Sequence, residues 1–544
     1  MFSPIAKLLK RIRPKRVSSQ QITSEVYSFF IASGGAKDIR ELRSEILDTK
    51  EMFKDLRIPN RYISYEKNFQ ALFFQKAISS IFWSDFTKAC AYSRNRRRKV
   101  IFAIPPEFMP FFTRHRIPLN KFACTVLWKV KLYKKGMKSF GQIVGQFFDL
   151  LSRPKVVKFK VNNSRVKIWT NFHSAEYFNS DYVGGYNFVN WLSRDELLGK
   201  VKMSFFCERN LGNHIHRNCS VEYLPISMLA IPVDARRAYL LDMLSILFFG
   251  FTKMITGKPE FMTLGMELAL ALRVQKIEYQ DLPSFAFFSE ADGICKPLWA
   301  YVAELKGVKV ITLFATIYAT PQLSNKVSFN RTDLGLNIYS AATWNDYWVC
   351  DTTQKHILQK IVDLPSEKIK IVGVHWRTDL QLDKRVSKRW KVALFDNEDH
   401  EDFFNFSSIV DLGFVGYEKD VKFLSDIASL AIKYNVEIAH KRKRPLLEHF
   451  VNAEYANLLE KLRMLEIYTP IHEDVAPLQL IRKSDYVLCS PFSTPAVIAK
   501  GENVPSLYYD CIGKTLRSDI SLHGVPLIQG YQELEIWFEK YFGG

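Results

Sequence analysis

The sequence predicts an α/β protein in two large units, and three observations carry that reading. Short apolar runs of strand length alternate with longer helical patterns along most of the chain. One stretch, 485–510 (DYVLCSPFSTPAVIAKGENVPSLYYD), has the complete form of a strand–turn–helix–strand unit. At 544 residues, 47% of them hydrophobic, the chain is too long for one ordinary core and apolar enough to fill two.

In chain order, residues 1–16 (MFSPIAKLLKRIRPKR) are basic and amphipathic, suited either to an anionic membrane surface or to a solvated terminus. They contain no apolar run of signal-peptide length. A basic run, 94–99, reads as a solvated loop before the strand-like VIFAIPP of 100–106. Further strands are expected at 166–171, 203–207, 285–289 and 308–314. The runs 155–161 and 166–171 flank an Asn-Asn-Ser-Arg turn, which suggests a hairpin. Residues 239–251 (YLLDMLSILFFGF) are too short to span a bilayer and contain Asp242, so they read as a buried helix. From 290 to 314 a turn and the helix KPLWAYVAELKG feed the strand VKVITLF, a βαβ unit. Short strands separated by one helix follow over 341–376, then a basic connection over 383–391.

The last part opens with the strand VALFD at 392–396 and a helix at 419–434 whose Phe423, Leu424, Ile427, Leu430 and Ala431 share one face. The strand NVEIAH runs into Lys441-Arg442-Lys443-Arg444, and Pro445 starts another helix. In the 485–510 stretch, 486–489 is the strand, 490–494 a turn rich in hydroxyls, and 495–501 a helix with Pro near its start and Gly at its end. Thr494 is the expected N-cap. Free amides and the helix dipole favour an anion there, so Ser490, Ser493 and Thr494 are candidate phosphate contacts; an ordinary capped helix would read the same way. Ligands of a doubly wound sheet bind at the carboxyl ends of its strands, where the 441–444 run and Glu473, just before the Pro477 helix, also fall. Glu473 could accept sugar or ribose hydroxyls, whereas Asp474 suits a helix cap.

The run SPFSTPA, ending in VPSLYYD, resembles the bacterial polysaccharide-biosynthesis proteins named for a Pro-Phe-Thr-Ser motif, glycosyltransferases of the GT-B type; here Ser493 and Thr494 stand in the reverse order of the name. YNFVNWL at 186–192, the Trp/Asp-rich 341–354 and VGVHW at 372–376 resemble the same family. The resemblance implies a GT-B-like α/β fold, two Rossmann-like doubly wound domains facing a central cleft. Its expected parts are a basic segment 1–16, an acceptor-side domain 17–355, a linker 356–390 and a donor domain 391–544. It implies that Lys441, Lys443 and Arg444 contact the donor phosphates. Inverting transfer needs a general base near the acceptor hydroxyl. Glu290 and Asp292, in SEADG, are similar to the acidic element of bacterial sialyltransferases, and Asp292 is the first candidate, although an Asp-Gly turn needs no catalytic role. His173 is another candidate; His214 and His216 share a side only if their segment is extended. GT-B enzymes generally need no bound metal, so neither metal nor cofactor is expected and a nucleotide-sugar serves as substrate.

The net charge of +20 calls for an anionic partner. No RNP, zinc-finger or helix-turn-helix signature is present and aromatics are not interleaved with the basic runs, so nucleic acid is not expected. The eight scattered cysteines form no C-x-x-C pair, as suits a cytoplasmic protein. The expected function is transfer of a sugar from a nucleotide-activated donor to a surface polysaccharide or lipid-linked glycan, at the inner face of the membrane. A sugar epimerase or a glycerol-phosphate polymerase on the same scaffold, or a nucleic-acid-binding protein, are the alternatives.

Overall fold

In a computed structural model of the protein, the strand runs assemble into two separate sheets. The structure describes residues 26, 29–30, 33–49, 53–82, 84–152, 166–171, 188–192, 198, 203–207, 214–216, 219–289, 294–314, 337–362, 364–373, 388–396, 417–442, 453–472, 475–513, 515–518 and 522–543.

The first described elements are helices: α1 Gly35–Asp48, α2 Glu66–Phe82, α3 Ser84–Asn95, α4 Met109–Arg114 and α5 Lys121–Ser152. VIFAIPP is not a strand as expected. Only Val100 makes a bridge, to Leu119, and the two prolines that follow cannot donate to a ladder. Residues 96–99 are exposed, as a solvated loop should be.

The first sheet comprises β1 Val166–Thr170, β2 Met203–Cys207, β3 His214–His216, β4 Cys219–Tyr223, β5 Phe285–Ser289, β6 Lys309–Leu313, β7 Tyr347–Val349 and β8 Ile369–Ile371. Its order is β3-β4-β2-β1-β5-β6-β7-β8, parallel except for β3. β1 is therefore central, with parallel neighbours β2 and β5 in the two places where a hairpin partner would pair; residues 155–161, the other half of the expected hairpin, lie outside the described residues. Between these strands lie α6 Phe188–Leu192, α7 Val233–Ile255, α8 Glu260–Thr263, α9 Gly265–Lys276, α10 Leu298–Leu305 and α11 Thr352–Val362. β8 pairs with β7, so residues 369–371, expected to connect the two units, add a strand to the first sheet. The YNFVNWL motif builds core: Phe188 and Trp191 pack on Phe205, Phe287 and Trp348 on one face of the sheet.

α7 is not the buried helix expected from its composition. Tyr239, Asp242, Met243, Ile246, Gly250 and Met254 face inward, but Leu241, Leu244, Phe248, Phe251 and Ile255 are exposed. It is long and apolar enough to cross a membrane, yet its inner face is part of the protein core.

The second sheet comprises β9 Trp390–Phe395, β10 Ile438–Lys441, β11 Tyr468–Ile471, β12 Ser484–Cys489, β13 Ser506–Asp510 and β14 Leu527–Gln529, in the order β11-β10-β9-β12-β13-β14 and all parallel. Alternation along each strand feeds two cores. Val392, Leu394, Leu488, Leu507 and Tyr509 meet α12 Tyr417–Lys433, α13 Ala453–Arg463 and α16 Gly530–Phe542. Ala393, Phe395, Val487, Cys489 and Tyr508 meet α14 Pro477–Arg482 and α15 Thr494–Gly501 on the other face. Helices on both faces leave the inner strands buried twice, which is why those strands read as continuous apolar runs, while the edge strands β11 and β14 are only partly buried. On α12 the buried Phe423, Leu424, Ile427 and Leu430 contribute ~1.5–3 kcal/mol each. Two doubly wound sheets in one chain make the α/β, GT-B-like architecture.

Candidate active site

In each sheet the chain first runs outward from a central strand and then returns to its other side. β1 leads to β2 before β5 returns beside β1, and β9 leads to β10 and β11 before β12 returns beside β9. The crevice beyond the carboxyl ends of two such strands, whose connections leave in opposite directions, is where open α/β sheets take their ligands.

At the second switch point β9 ends on Phe395, level with Lys441 of β10 and Cys489 of β12, so the next residues, Asp396 and Ser490, lie side by side. The Ser490 amide donates to the Phe395 carbonyl at 3.1 Å. Asp396 is almost fully buried. Its Oδ2 accepts from the Tyr455 hydroxyl and faces His440 Nε2 at 3.0 Å, while His440 Nδ1 lies 2.6 Å from the Tyr468 hydroxyl. Burial, then the Asp396 charge, push the Tyr468 phenol up, so it stays protonated beside the imidazole. Asp396 Oδ1 and Ser490 Oγ are both buried and have no hydrogen-bond partner among the described residues. A charged acceptor and a hydroxyl left without partners are costly unless a ligand or water meets them.

The turn Ser490–Pro491–Phe492–Ser493 leads into α15. Ser493 N–H donates to Ser490 O at 3.3 Å, with Pro at the second position and Phe492 at φ 64, the pattern of a type II turn. Ser493, not Thr494, takes the N-cap position; Thr494 is the first helical residue. The difference arises because the turn ends one residue earlier than the hydroxyl-rich run does. The Ser493 hydroxyl does not cap the helix but donates to Ser490 O at 2.7 Å, so its one proton is engaged within the turn. Thr494 is half-buried at the first turn. Asp510, which ends the motif VPSLYYD, is a turn builder: it accepts from the amides of Ile512, Gly513 and Thr515 and from the Thr515 hydroxyl.

Lys441 is buried at the end of β10, and its Nζ donates to the Arg442 carbonyl at 3.1 Å. Lys443 and Arg444 lie outside the described residues, as does Glu473. Glu473 follows β11, the outermost strand, three strand spacings of ~4.8 Å from β12.

At the first switch point Asn171, just past β1, accepts the Ser289 amide on its Oδ1 at 3.1 Å and so ties the ends of β1 and β5 together. His173, Glu290 and Asp292 are outside the described residues, but the strand ends that lead to them are these two neighbours. His214 and His216 begin and end edge strand β3, so their segment is extended. Among the described residues no group of three or more His, Cys, Asp or Glu is placed to hold a metal ion.

The two units touch at Asp351, which precedes α11. Its Oδ1 accepts the Gln354 amide at 2.7 Å and its Oδ2 meets His523 Nδ1 at 2.6 Å. Burial works against the Asp351 charge, but His523 and the amides of Gln354 and Thr353 hold its carboxyl below the usual range.

Sequence reasoning passed over Asp396, His440, Tyr455 and Asn171. Asp396 carried a signal, an acid ending an otherwise apolar strand run. Tyr455 and Tyr468 look like core residues until the carboxylate between them is placed.

Among solved structures the chain is similar to the UDP-GlcNAc 2-epimerase of Methanocaldococcus jannaschii in complex with UDP-GlcNAc and UDP (12% identity, 70% of this chain and 93% of that one, TM-score 0.35). It is also similar to the wall teichoic acid polymerase TagF (12% identity, 76% and 93%, TM-score 0.35). A third is Arabidopsis thaliana UGT89C1 complexed with UDP-L-rhamnose (12% identity, 70% and 90%, TM-score 0.37). No curated protein sequence matches. The model of the polysaccharide biosynthesis PFTS motif proteins matches residues 246–538, which include β5 to β14, both switch points' later strands and the SPFST turn. With more than half of its length matched, the chain belongs to the polysaccharide biosynthesis PFTS motif family.

Proposed function

We propose that this chain is a metal-independent, inverting glycosyltransferase that takes a sugar from a nucleotide-activated donor and adds it to a surface polysaccharide or lipid-linked glycan. The observation that carries the proposal is the pair of buried oxygens without partners among the described residues, Asp396 Oδ1 and Ser490 Oγ, side by side at the second switch point and beside the start of α15. In this reading the Ser490 and Thr494 hydroxyls and the first-turn amides of α15 take the donor diphosphate, with the cations of 441–444 nearby. The Asp396 carboxylate, which would repel phosphate, takes ribose or base donors instead. Lys441, Lys443 and Arg444 offset the charge that grows on the leaving diphosphate.

The acceptor side belongs to the loops after β1 and β5. Asp292, with Glu290 and His173 as the other candidates, removes the proton of the acceptor hydroxyl as its oxygen bonds to the anomeric carbon. The bond from that carbon to the phosphate oxygen breaks and the nucleoside diphosphate leaves. The membrane belongs to the same proposal: a +20 chain acting on lipid-linked or nascent glycan works at the anionic cytoplasmic face of the bilayer.

The test is a thermal-shift screen of the full chain against nucleoside diphosphates, because a ligand that binds only the folded state raises its melting temperature. The nucleotide that stabilises is then supplied as its sugar conjugates, and release of the diphosphate is followed with and without glycan acceptor. No stabilisation by any nucleotide refutes the reading. Turnover that interconverts two donor sugars without needing an acceptor points to an epimerase instead.

A further inference from the structure

The exposed face of α7 belongs to no core. Arg237, Leu241, Leu244, Phe248, Phe251 and Ile255 recur every three or four residues and are all exposed, Phe248 by 77% and Ile255 by 70%. At 1.5 Å per residue they form a stripe roughly 27 Å long. Within 237–255 the one acid, Asp242, faces inward to Arg61 and Lys276, and the exposed Asp234 lies one turn before Arg237, at the end of the stripe.

α5 widens it. Gly136 lies against Met254, the Tyr133 hydroxyl donates to the Met254 carbonyl at 2.9 Å, and Phe140 meets Phe251 at 6.2 Å between ring centroids, so the helices run antiparallel in contact. One turn round from that contact α5 exposes Val130, Met137 and Phe148, and just beyond them Lys134 and Lys138. An apolar band edged along α5 by Lys134 and Lys138, with Arg237 and the exposed Asp149 and Asp234 confined to one end, is the form of a surface that lies in the head-group region of an anionic bilayer. It does not span one, because Tyr239, Met243, Ile246 and Met254 of the same helix are fixed in the core.

We propose that the joint outer face of α5 and α7 is the membrane-docking surface, seating the first unit on anionic lipid with α7 parallel to the bilayer. This rests on the membrane part of the function proposed above and gives that contact a place in the fold, separate from residues 1–16. Charge selects lipid over a second copy: pairing two chains, each of net charge +20, brings like charges together, whereas an anionic bilayer offsets them.

The experiment is vesicle co-sedimentation of the full chain, with phosphatidylcholine alone and phosphatidylcholine mixed with phosphatidylglycerol. The wild type should sediment with the anionic vesicles and release as salt rises. Leu244→Ser, Phe248→Ser and Ile255→Ser combined should lower partitioning on the order of 10²-fold, and Lys134→Ala with Lys138→Ala roughly fivefold per lysine. All five side chains are exposed, so melting temperature and nucleotide binding should stay at wild-type values. Undiminished binding by the serine variant overturns the proposal; if that binding disappears on deleting residues 1–16, the membrane reading stands and the terminus is the anchor. A wild type that binds neither vesicle ends both. A wild-type dimer that the serine variant turns into monomer assigns the face to a second copy and also overturns the proposal.

Discussion

Replacing Asp396 with Asn separates the two roles its carboxylate combines. In the folded protein Oδ2 accepts the buried Tyr455 hydroxyl and faces His440, while Oδ1 has no partner among the described residues. A hydrogen bond to a charged group contributes about 1.5–3 kcal/mol, and the amide keeps only the weaker, neutral part of it. The second unit should therefore lose about 1–2 kcal/mol, which for a domain of its size lowers its melting temperature by roughly 2–8 °C. If Oδ1 receives a donor from the nucleotide, affinity falls as well: about 1.5–3 kcal/mol corresponds to a 10- to 150-fold rise in Kd. Both quantities are read on one preparation, the first by calorimetry and the second by titration with the nucleotide that stabilises the wild type. Lower stability with an unchanged Kd would confine Asp396 to holding Tyr455 and His440, and the donor would have to bind elsewhere.

Three other outcomes are expected. Ser490→Ala removes a buried hydroxyl that has no partner among the described residues, so the melting temperature should hold or rise while nucleotide affinity drops by about tenfold; a loss of stability without a loss of affinity contradicts the assignment. The depressed carboxyl of Asp351 contributes stability that is complete above its unfolded pKa of about 3.9 and disappears as pH falls through the lower folded value. Asp351→Asn should thus cost about 1–3 kcal/mol in urea unfolding at neutral pH, with the difference shrinking below about pH 4, and a pH-independent difference would contradict the pairing with His523. Asp292→Asn should reduce turnover by about 10²–10⁴-fold with little change in nucleotide Kd; full turnover there, with loss in Glu290→Gln or His173→Ala, moves the base.

The parallel strands were the most legible part of the fold. β5, β6, β9, β12 and β13 appear as apolar runs because burial on both faces removes polar alternation. Neighbours were not legible. Nothing in 166–171 distinguishes a hairpin strand from the centre of a parallel sheet, and that misplaced β1. α7 misled for a related reason. A helix that is apolar on nearly every side reads as buried, and only the tertiary contacts of α5 show which side stays outside. At the site, the hydroxyls of 490–494 could be found by type, but their division of labour could not. Whether Ser493 offers its proton to a ligand or to Ser490 depends on a turn closing one residue before Thr494. Asp396 and Ser490 are about ninety residues apart, and only the return of β12 beside β9 makes them neighbours.

Phe492 shows how this turn comes to exist at all. A left-handed backbone suits Gly or Asn, and for a residue with a bulky side chain it costs roughly 1–2 kcal/mol. The chain meets that cost with contacts from outside the turn: the Phe492 ring lies 6.4 Å from that of Tyr508, whose hydroxyl donates to the Ser493 carbonyl at 3.0 Å. Tyr508 belongs to β13, so the strand that follows α15 completes a turn that Pro491 and the Ser493 bonds to Ser490 begin locally. During folding the left-handed Phe492 should therefore be held firmly only after β13 has docked beside β12. A Tyr508→Phe variant, which keeps the ring and loses the hydroxyl, would loosen this loop while the strands on either side of it persist.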